Sequence, residues 1–252
     1  MDVSQQYREA WEGFWSATSD TPGEAIWDSD PSVTSVPDTE LLLPHADITL
    51  PVVDLGCGNG TQTRYLATRF AGAIGVDLSH AAIAHARRAD PAGVAEFAQL
   101  DLVDAEAVAA LHVRMGDTNV YMRAVIHQSE PEARPAVAAA VAALLGERGR
   151  AFVAEPTPAS KGVLQQVAQG PDGPPEKLRR VLAHGLKPAS ATEEEVRRLL
   201  QEAGLATLAD GATALVQTEY LPDGTRVELP ARWFVLSRRG ARGRAPEPSG
   251  RP

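Results

Sequence analysis

The sequence lacks most of the features that mark secreted, membrane-embedded or metal-binding proteins. Its 252 residues include one cysteine, Cys57, which excludes an internal disulfide or a cysteine-rich zinc site and fits a reducing compartment. No apolar run is long enough to span a bilayer, and the first residues lack the basic and apolar regions of a signal peptide. No set of His and carboxylate residues has metal-ligand spacing. We therefore expect a cytoplasmic protein without a membrane partner or a metal.

Basic residues are also scarce. Lys and Arg number 24 against 33 Asp and Glu, a net charge of −9. From Arg238 onward the chain holds five Arg and one Glu, so the preceding residues carry 19 − 32 = −13. An acidic body repels a phosphate backbone, which argues against a nucleic-acid partner. The hydrophobic fraction of 44% is that of an ordinary globular protein. The sequence does not indicate an oligomeric state.

From residue 51, short β-branched runs alternate with longer stretches rich in Ala, Arg and Leu. This alternation is typical of a parallel α/β sheet. The predicted strands are Pro51–Leu55, Ala73–Asp77, Ala95–Leu100, Asn119–Arg123 and Arg150–Glu155. The predicted helices are Thr61–Phe70, Ser79–Ala89, Asp104–Val113 and Glu132–Leu145, with shorter ones at Lys161–Ala168 and Glu176–His184.

The end of the chain predicts a helix followed by a hairpin. Thr192 and Glu195 have the spacing of a capping box that opens a helix ending near Gly204. Two β-rich runs follow, Ala212–Leu221 and Thr225–Ser237, joined by a Pro-Asp-Gly turn. The expected fold class is thus α/β, a doubly wound, seven-stranded, mostly parallel sheet of Rossmann-like type with a final antiparallel hairpin.

Three segments lie outside this expected core of residues 51–239. In residues 1–50, Val3, Tyr7, Trp11, Phe14 and Trp15 share one face of a helix. We interpret that helix either as a lid over a ligand, joined by a long connector, or as a helix fixed to the side of the domain. Residues 156–190 predict an insertion that covers the substrate, and residues 240–252 predict a disordered tail.

The most informative stretch is Asp54-Leu55-Gly56-Cys57-Gly58-Asn59-Gly60, which follows a predicted strand and opens a predicted helix. Glycines there permit backbone angles and close contacts that a Cβ would forbid. The next strand ends at Asp77, 23 residues after Asp54. An acidic residue at that place is suited to accept hydrogen bonds from two ribose hydroxyls.

These motifs resemble a known family. DLGCGNG is similar to the first motif of class I S-adenosylmethionine-dependent methyltransferases, and the GVDLS that contains Asp77 is similar to their second. The stretches QLDL (99–102), NVYMRAVIH (119–127) and GRAFV (149–153) resemble later parts of the family pattern, as does WFVL (233–236) in the hairpin. The resemblance covers residues 51–155 closely and residues 190–238 loosely.

The resemblance implies S-adenosylmethionine as the cofactor, bound at the carboxyl ends of the first four strands. Asp54 would help to hold the ammonium group, Asp77 the ribose, and Asp101 the adenine amino group, while Leu78 would pack on adenine. The cofactor-binding residues predicted in this way are Asp54, Gly56, Cys57, Gly58, Asp77, Leu78, Asp101, Leu102 and Arg123.

Two other functions remain open at this point. A nicotinamide-dependent oxidoreductase shares the fold class, but its G-x-G-x-x-G fingerprint would need a glycine at Thr61. A non-catalytic protein that binds S-adenosylmethionine would have the same motifs.

The candidate catalytic residue is His127, four residues after Arg123 and just beyond the fourth strand. It is a general base, a part of the pocket wall or a structural residue. Glu155 ends the fifth strand facing the same region, and Arg123 is placed to orient a carboxylate or to pair with an acid. His85 and His112 are expected at the surface of their helices.

Acceptor recognition falls on the segments outside the shared core. The predicted substrate-binding residues are Trp15, Trp27, His127 and Glu155. An aromatic lid and an apolar insertion favour a small, largely apolar or aromatic acceptor, such as a metabolite or natural-product intermediate. A methyl group would reach it by in-line displacement.

Overall fold

A seven-stranded sheet organises the part of the chain described by the computed structural model, residues 3–170, 173–186, 191–221 and 223–240. Its order is β3-β2-β1-β4-β5-β7-β6. The strands are β1 (Val52–Leu55), β2 (Ala73–Asp77), β3 (Glu96–Gln99), β4 (Asn119–Arg123), β5 (Ala151–Pro156), β6 (Leu205–Tyr220) and β7 (Arg226–Arg238).

The first five strands are parallel, and β7 runs antiparallel to both β5 and β6. The strand order reverses at β1, because β2 lies on one side of it and β4 on the other. In open α/β sheets the crevice that binds ligands lies outside the carboxyl ends of the strands at this reversal. The predicted doubly wound sheet with its closing hairpin is confirmed.

Helices cover both faces of the sheet, as a mostly parallel sheet requires. They are α1 (Val3–Ser16), α2 (Ser35–Leu42), α3 (Thr61–Leu66), α4 (His80–Ala89), α5 (Ala105–Met115), α6 (Arg134–Leu145), α7 (Ser160–Ala168), α8 (Glu176–Ala183) and α9 (Glu193–Glu202). A short 3-10 helix, Pro31–Val33, precedes α2. On one face, Leu144 of α6 and Leu199 of α9 join the core, and on the other Phe14 of α1 and Leu42 of α2 pack near Tyr121.

The strand β6 is longer than its sequence indicates. It begins at Leu205, where it pairs with Arg238, seven residues before the predicted start at Ala212. The intervening Ala209-Asp210-Gly211 has neither β-branched residues nor apolar alternation. Its extended conformation comes from pairing with the neighbouring strand, across a register shift near Thr207.

The helix α2 lies in the segment that the sequence suggested was a connector. It contains Pro37 and few apolar residues, so no helical periodicity marks it. Leu42 and Thr39 are nevertheless buried, and Leu42 belongs to the same core cluster as Tyr121 of the sheet. The connector is therefore partly folded onto the domain.

One of the two hydrogen bonds of the predicted capping box of α9 is present. Thr192 accepts a hydrogen bond from the Glu195 backbone N–H, as expected of an N-cap. The Glu195 carboxylate pairs instead with Arg134, at 2.6 Å.

Two further predictions fall partly outside the described residues: Pro222 of the predicted turn, and residues 241–252 of the predicted tail. In the described part of the chain, no helix has the length and apolar character needed to cross a membrane.

Candidate cofactor and active site

A cavity of about 660 Å³ opens at the carboxyl ends of the parallel strands, a size typical of small-molecule sites. Its lining includes all the residues that the sequence predicted as cofactor-binding: Asp54, Gly56, Cys57, Gly58, Asp77, Leu78, Asp101, Leu102 and Arg123. Trp15, Trp27 and His127 also line it, whereas Glu155 lies behind the wall. In the described part of the chain, no three His, Cys, Asp or Glu side chains form a metal-ligand cluster.

The glycine loop after β1 makes close contacts that need its glycines. Gly56 and Gly58 have φ angles of 71° and 55°, in the left-handed region. A Cβ at Gly56 would lie 2.7 Å from Val125 Cγ2, and one at Gly58 would lie 2.7 Å from Trp15 Cζ2. The loop is therefore packed between the segment after β4 and the N-terminal helix.

Asp77, at the end of β2, fixes this loop. Its carboxylate accepts hydrogen bonds from the backbone N–H of Gly58 at 3.0 Å and of Ser79 at 2.9 Å. Burial, with a smaller contribution from the nearby Glu12 carboxylate, raises the pKa of Asp77 to about 6.

Asp54, in β1, is a second buried carboxylate on the same wall. It accepts a hydrogen bond from the hydroxyl of Thr63 at 2.6 Å. Burial, with a smaller repulsion from Asp77, raises the pKa of Asp54 to about 7. Neither Asp54 nor Asp77 forms an ion pair with a described residue, so this wall favours a ligand that carries positive charge.

Asp101, after β3, is already engaged by the N-terminal helix. Arg8 of α1 donates to its carboxylate at 2.7 Å, and the Val103 backbone N–H donates to the other oxygen at 3.1 Å. The sequence did not predict Arg8 as part of the site, because no local pattern links residues 93 positions apart.

The helix α1 makes two further contacts with cofactor-site elements. Glu12 accepts hydrogen bonds from the Ser79 hydroxyl and the Ala81 backbone N–H, at the start of α4. The Trp15 carbonyl lies 2.9 Å from Nε2 of His85. His85 is thus buried, and the expectation that it lies at the surface is wrong, because α1 covers that side of α4.

The connector between α1 and β1 also meets the site. Asn59 of the glycine loop donates to Asp28 at 2.6 Å. Asp38 of α2 accepts a hydrogen bond from the Tyr121 hydroxyl at 2.7 Å and lies 3.3 Å from Arg123 Nε. Burial raises the pKa of Asp38 despite the attraction of Arg123. Arg123 accordingly lies in the cavity wall beside a buried acid, one of the two arrangements expected for it.

The insertion after β5 forms another part of the cavity wall. Its two helices contribute mostly apolar side chains to the cavity, with a few polar ones: Ser160, Lys161, Leu164, Gln165 and Ala168 from α7, and Leu178, Val181 and Leu182 from α8. The cavity is also lined by the aromatic side chains of Tyr7, Trp11, Trp15 and Trp27. The inner part of the cavity is thus enclosed by aromatic and aliphatic groups.

His127 and Glu155 form a pair between the loop after β4 and the end of β5. Nδ1 of His127 lies 2.9 Å from Glu155 Oε2, and both side chains are buried. Glu155 also accepts hydrogen bonds from three backbone N–H groups of the loop, those of Val125, Ile126 and His127. The pair brings His127 to the cavity wall and keeps Glu155 behind it.

The cavity suits the cofactor that the motifs imply. S-adenosylmethionine carries a sulfonium and an ammonium group, and the wall holds two buried carboxylates without an ion-pair partner among the described residues. The glycine loop presents backbone close to the cavity, where a larger residue would not fit. The residues present therefore fit this cofactor.

Comparison with known proteins gives matches to methyltransferases. A family model described as a methyltransferase domain matches residues 52–149. Trans-aconitate 2-methyltransferase of Paracidovorax citrulli is 53% identical over 53 residues, 20% of this chain and 20% of that protein. The match thus spans about a fifth of the length of this curated relative.

Solved structures extend the likeness over nearly the whole chain. A SAM-dependent methyltransferase from Anabaena variabilis is 29% identical, with a TM-score of 0.85, and the alignment covers 92% of this chain and 95% of that one. Magnesium protoporphyrin IX methyltransferase from Synechocystis, solved with bound SAH, shares the fold at 21% identity and a TM-score of 0.54, over 82% and 81% of the two chains.

Proposed function

We propose that this chain, which has the fold and the motifs of class I S-adenosylmethionine-dependent methyltransferases, methylates a small acceptor with a largely apolar or aromatic skeleton. The single observation that carries this proposal is the continuous cavity in which the predicted cofactor residues meet aromatic and aliphatic walls. Pockets of this composition suit small organic molecules with few polar groups.

The cofactor supplies an activated methyl group on a sulfonium, which is already an excellent leaving group. In the proposed site, Asp77 accepts from the ribose hydroxyls and Asp101 from the adenine amino group. Asp54 faces the ammonium group, and Arg123 the carboxylate of the methionine moiety. The loop residues Gly56, Cys57 and Gly58, with Leu78 and Leu102, complete this binding surface.

The remaining work of the chain is to align the acceptor and exclude water. Trp15 and Trp27 belong to the aromatic wall, which we propose closes over the acceptor. The helices α7 and α8 contribute further side chains to the wall. A flat or aliphatic acceptor held between these surfaces would present its nucleophile to the methyl group in line with the departing sulfur.

His127 is the proposed general base. It is the histidine in the described part of the chain that lines the cavity. A positioned base increases the rate roughly 10²- to 10⁴-fold when the acceptor must lose a proton.

The sequence also left open a nicotinamide-dependent oxidoreductase. Neither the family match nor the structural neighbours support that function.

Whether the acceptor is a small molecule can be tested by measuring which fraction of the products carries a labelled methyl group. The purified chain is incubated with methyl-tritiated S-adenosylmethionine and a bacterial extract, and the products are divided between ethyl acetate and acid precipitate. We expect enzyme-dependent label in the organic phase. Label confined to acid-precipitable protein or nucleic acid would overturn the proposal of a small acceptor.

Two variants make this experiment specific. In Asp77→Ala the ribose loses charge-assisted partners worth about 1.5–3 kcal/mol each, so labelling at limiting cofactor should fall at least about tenfold. Asp90 is a matched control, because it also accepts from two backbone N–H groups but lies outside the cavity lining. Asp90→Ala should label like the unmodified chain.

A further inference from the structure

We infer that Glu155 is a positioning residue that holds His127 as a proton acceptor, and that the methylated atom of the acceptor is one that carries a proton, such as a hydroxyl oxygen. This inference rests on the proposed function and specifies the class of nucleophile. It also gives Glu155 a role other than the substrate contact predicted from the sequence.

The loop after β4 has an unusual backbone that presents its N–H groups to Glu155. Ala124 has a φ of 58° and is the non-glycine residue with positive φ in the described ranges. That conformation costs an L-residue roughly 1–2 kcal/mol. It turns the chain so that the N–H groups of Val125, Ile126 and His127 all point at one carboxylate. Strain of this kind is retained where the surrounding structure over-determines it.

Among the described residues, the hydrogen bonds of the Glu155 carboxylate are all made to this loop. Oε1 accepts from Val125 N at 3.0 Å and Ile126 N at 2.8 Å, while Oε2 accepts from His127 N at 3.1 Å. The remaining contact of Oε2 is with Nδ1 of the same histidine, at 2.9 Å. Glu155 is 1% exposed, so an ionised carboxylate there needs these donors.

This arrangement decides which nitrogen of His127 is free. An ionised carboxylate only accepts hydrogen bonds, so Nδ1 must carry the proton that it shares with Glu155. In a neutral imidazole the other nitrogen, Nε2, then has a lone pair. His127 lines the cavity, and its Nε2 has no hydrogen-bond partner among the described residues. The ring therefore presents a proton acceptor to the cavity.

A proton acceptor at this place is useful only for a nucleophile that carries a proton. As the hydroxyl oxygen bonds to the methyl carbon, the carbon–sulfur bond breaks and its electron pair stays on sulfur. His127 Nε2 takes the hydroxyl proton, and the imidazolium formed is stabilised by the Glu155 carboxylate. A carboxylate acceptor is already ionised near neutral pH, so it would have no proton for His127 to accept.

The first test reads the tautomer directly and needs no acceptor. The full chain, labelled with ¹⁵N-histidine and saturated with S-adenosylhomocysteine, is studied by NMR at pH 8, with His127→Asn used for assignment. We expect a protonated Nδ1 and an unprotonated Nε2. A proton on Nε2, in a neutral or a cationic ring, would overturn the inference while leaving cofactor binding and the proposed methyltransferase function intact.

The second test uses matched probes that share one bicyclic skeleton, 2-naphthol and 2-naphthoate. We expect methyl transfer to the hydroxyl probe and a lower rate with the carboxylate probe. Faster transfer to 2-naphthoate would contradict the inference about the nucleophile without contradicting a small aromatic acceptor.

Glu155→Gln separates positioning from a structural role. The glutamine amide donates to Nδ1, so the proton of His127 should move to Nε2. The rate of 2-naphthol methylation should then fall about 100-fold or more, with the cofactor Kd changed by less than about threefold. Asp90→Asn, the matched control, should keep the wild-type rate. A Glu155→Gln rate like that of wild type, with the ¹⁵N signals of His127 unchanged, would refute the positioning role.

Discussion

Asp54 and Asp77 lie near the carboxyl ends of two neighbouring strands, and their carboxylates are buried in one wall of the cavity. Each is held by short hydrogen bonds, from Thr63 in one case and from Gly58 and Ser79 in the other. Burial raises the pKa of both, because an ionised carboxylate loses hydration there. In the ligand-free protein, ionising these carboxylates therefore costs free energy of desolvation, which the charge of a cationic ligand would offset.

Asp54→Asn should make the stability of the ligand-free protein less sensitive to pH. The pKa of Asp54 rises from 3.8 to about 7 on folding, so the folded state binds the proton more tightly and stability is lost as pH rises between these values. Asparagine keeps an acceptor for Thr63 and does not titrate. The stability gain of the variant over wild type should therefore grow by on the order of 2–3 kcal/mol from pH 5 to pH 8.

Denaturant unfolding of both proteins at the two pH values measures this difference. The reference is Asp90→Asn, which makes the same substitution at a buried carboxylate away from the cavity. If the difference between Asp54→Asn and wild type is the same at pH 5 and pH 8, Asp54 is not a buried acid with a raised pKa.

At the scale of elements, α1 is joined to the cofactor site by contacts with three separate segments, two of them polar. Arg8 pairs with Asp101 after β3, Glu12 binds the start of α4, and the Trp15 side chain lies against Gly58. The Arg8 side chain is 51% exposed, so its ion pair alone stabilises little. The helix is thus attached at points that a bound cofactor would itself touch.

Hydrogen exchange of α1 should slow when S-adenosylhomocysteine binds. A ligand enclosed between α1 and the strand ends adds contacts that opening of the helix would break, and about a tenfold slowing corresponds to 1.4 kcal/mol. Mass spectrometry of peptides within residues 5–16 measures it. The control is α9, which packs on the opposite face of the sheet and should exchange at an unchanged rate. Equal exchange of α1 with and without ligand would make it a fixed wall rather than a lid.

At the scale of the whole molecule, the cavity joins segments far apart in the chain. Its lining comes from the N-terminal helix, the strand ends, the insertion and the closing hairpin, where Leu215 and Leu229 reach it. A ligand that contacts all of these segments binds only the folded state of the chain, and it therefore stabilises the fold by mass action.

S-adenosylhomocysteine should therefore raise the thermal unfolding midpoint, whereas NADH should not. At 100 times the Kd the stabilisation is about 2.7 kcal/mol, which for a chain of this length corresponds to roughly 5–10 °C. Differential scanning calorimetry with each ligand makes the comparison. A shift with NADH and none with S-adenosylhomocysteine would contradict the cofactor assignment.

Local signals in the sequence were enough for the strands and loops that build the cofactor side. β2 and β4 begin and end at the predicted residues, since each is a short apolar run bounded by polar or glycine-containing turns. The prediction failed where a neighbour imposes the conformation, as in the first half of β6, or where a helix has no apolar periodicity, as in α2.

The sequence by itself determined the fold class, the glycine loop and the acidic residues at the strand ends, because periodicity, turn residues and motif spacing are local properties. Only the tertiary structure decided the partners of these residues. Arg8 reaches Asp101 across 93 positions, and His127 meets Glu155 across 28, because β4 and β5 are adjacent in the sheet and α1 folds back over it. Strand order and helix packing create such pairs, and no local pattern encodes them.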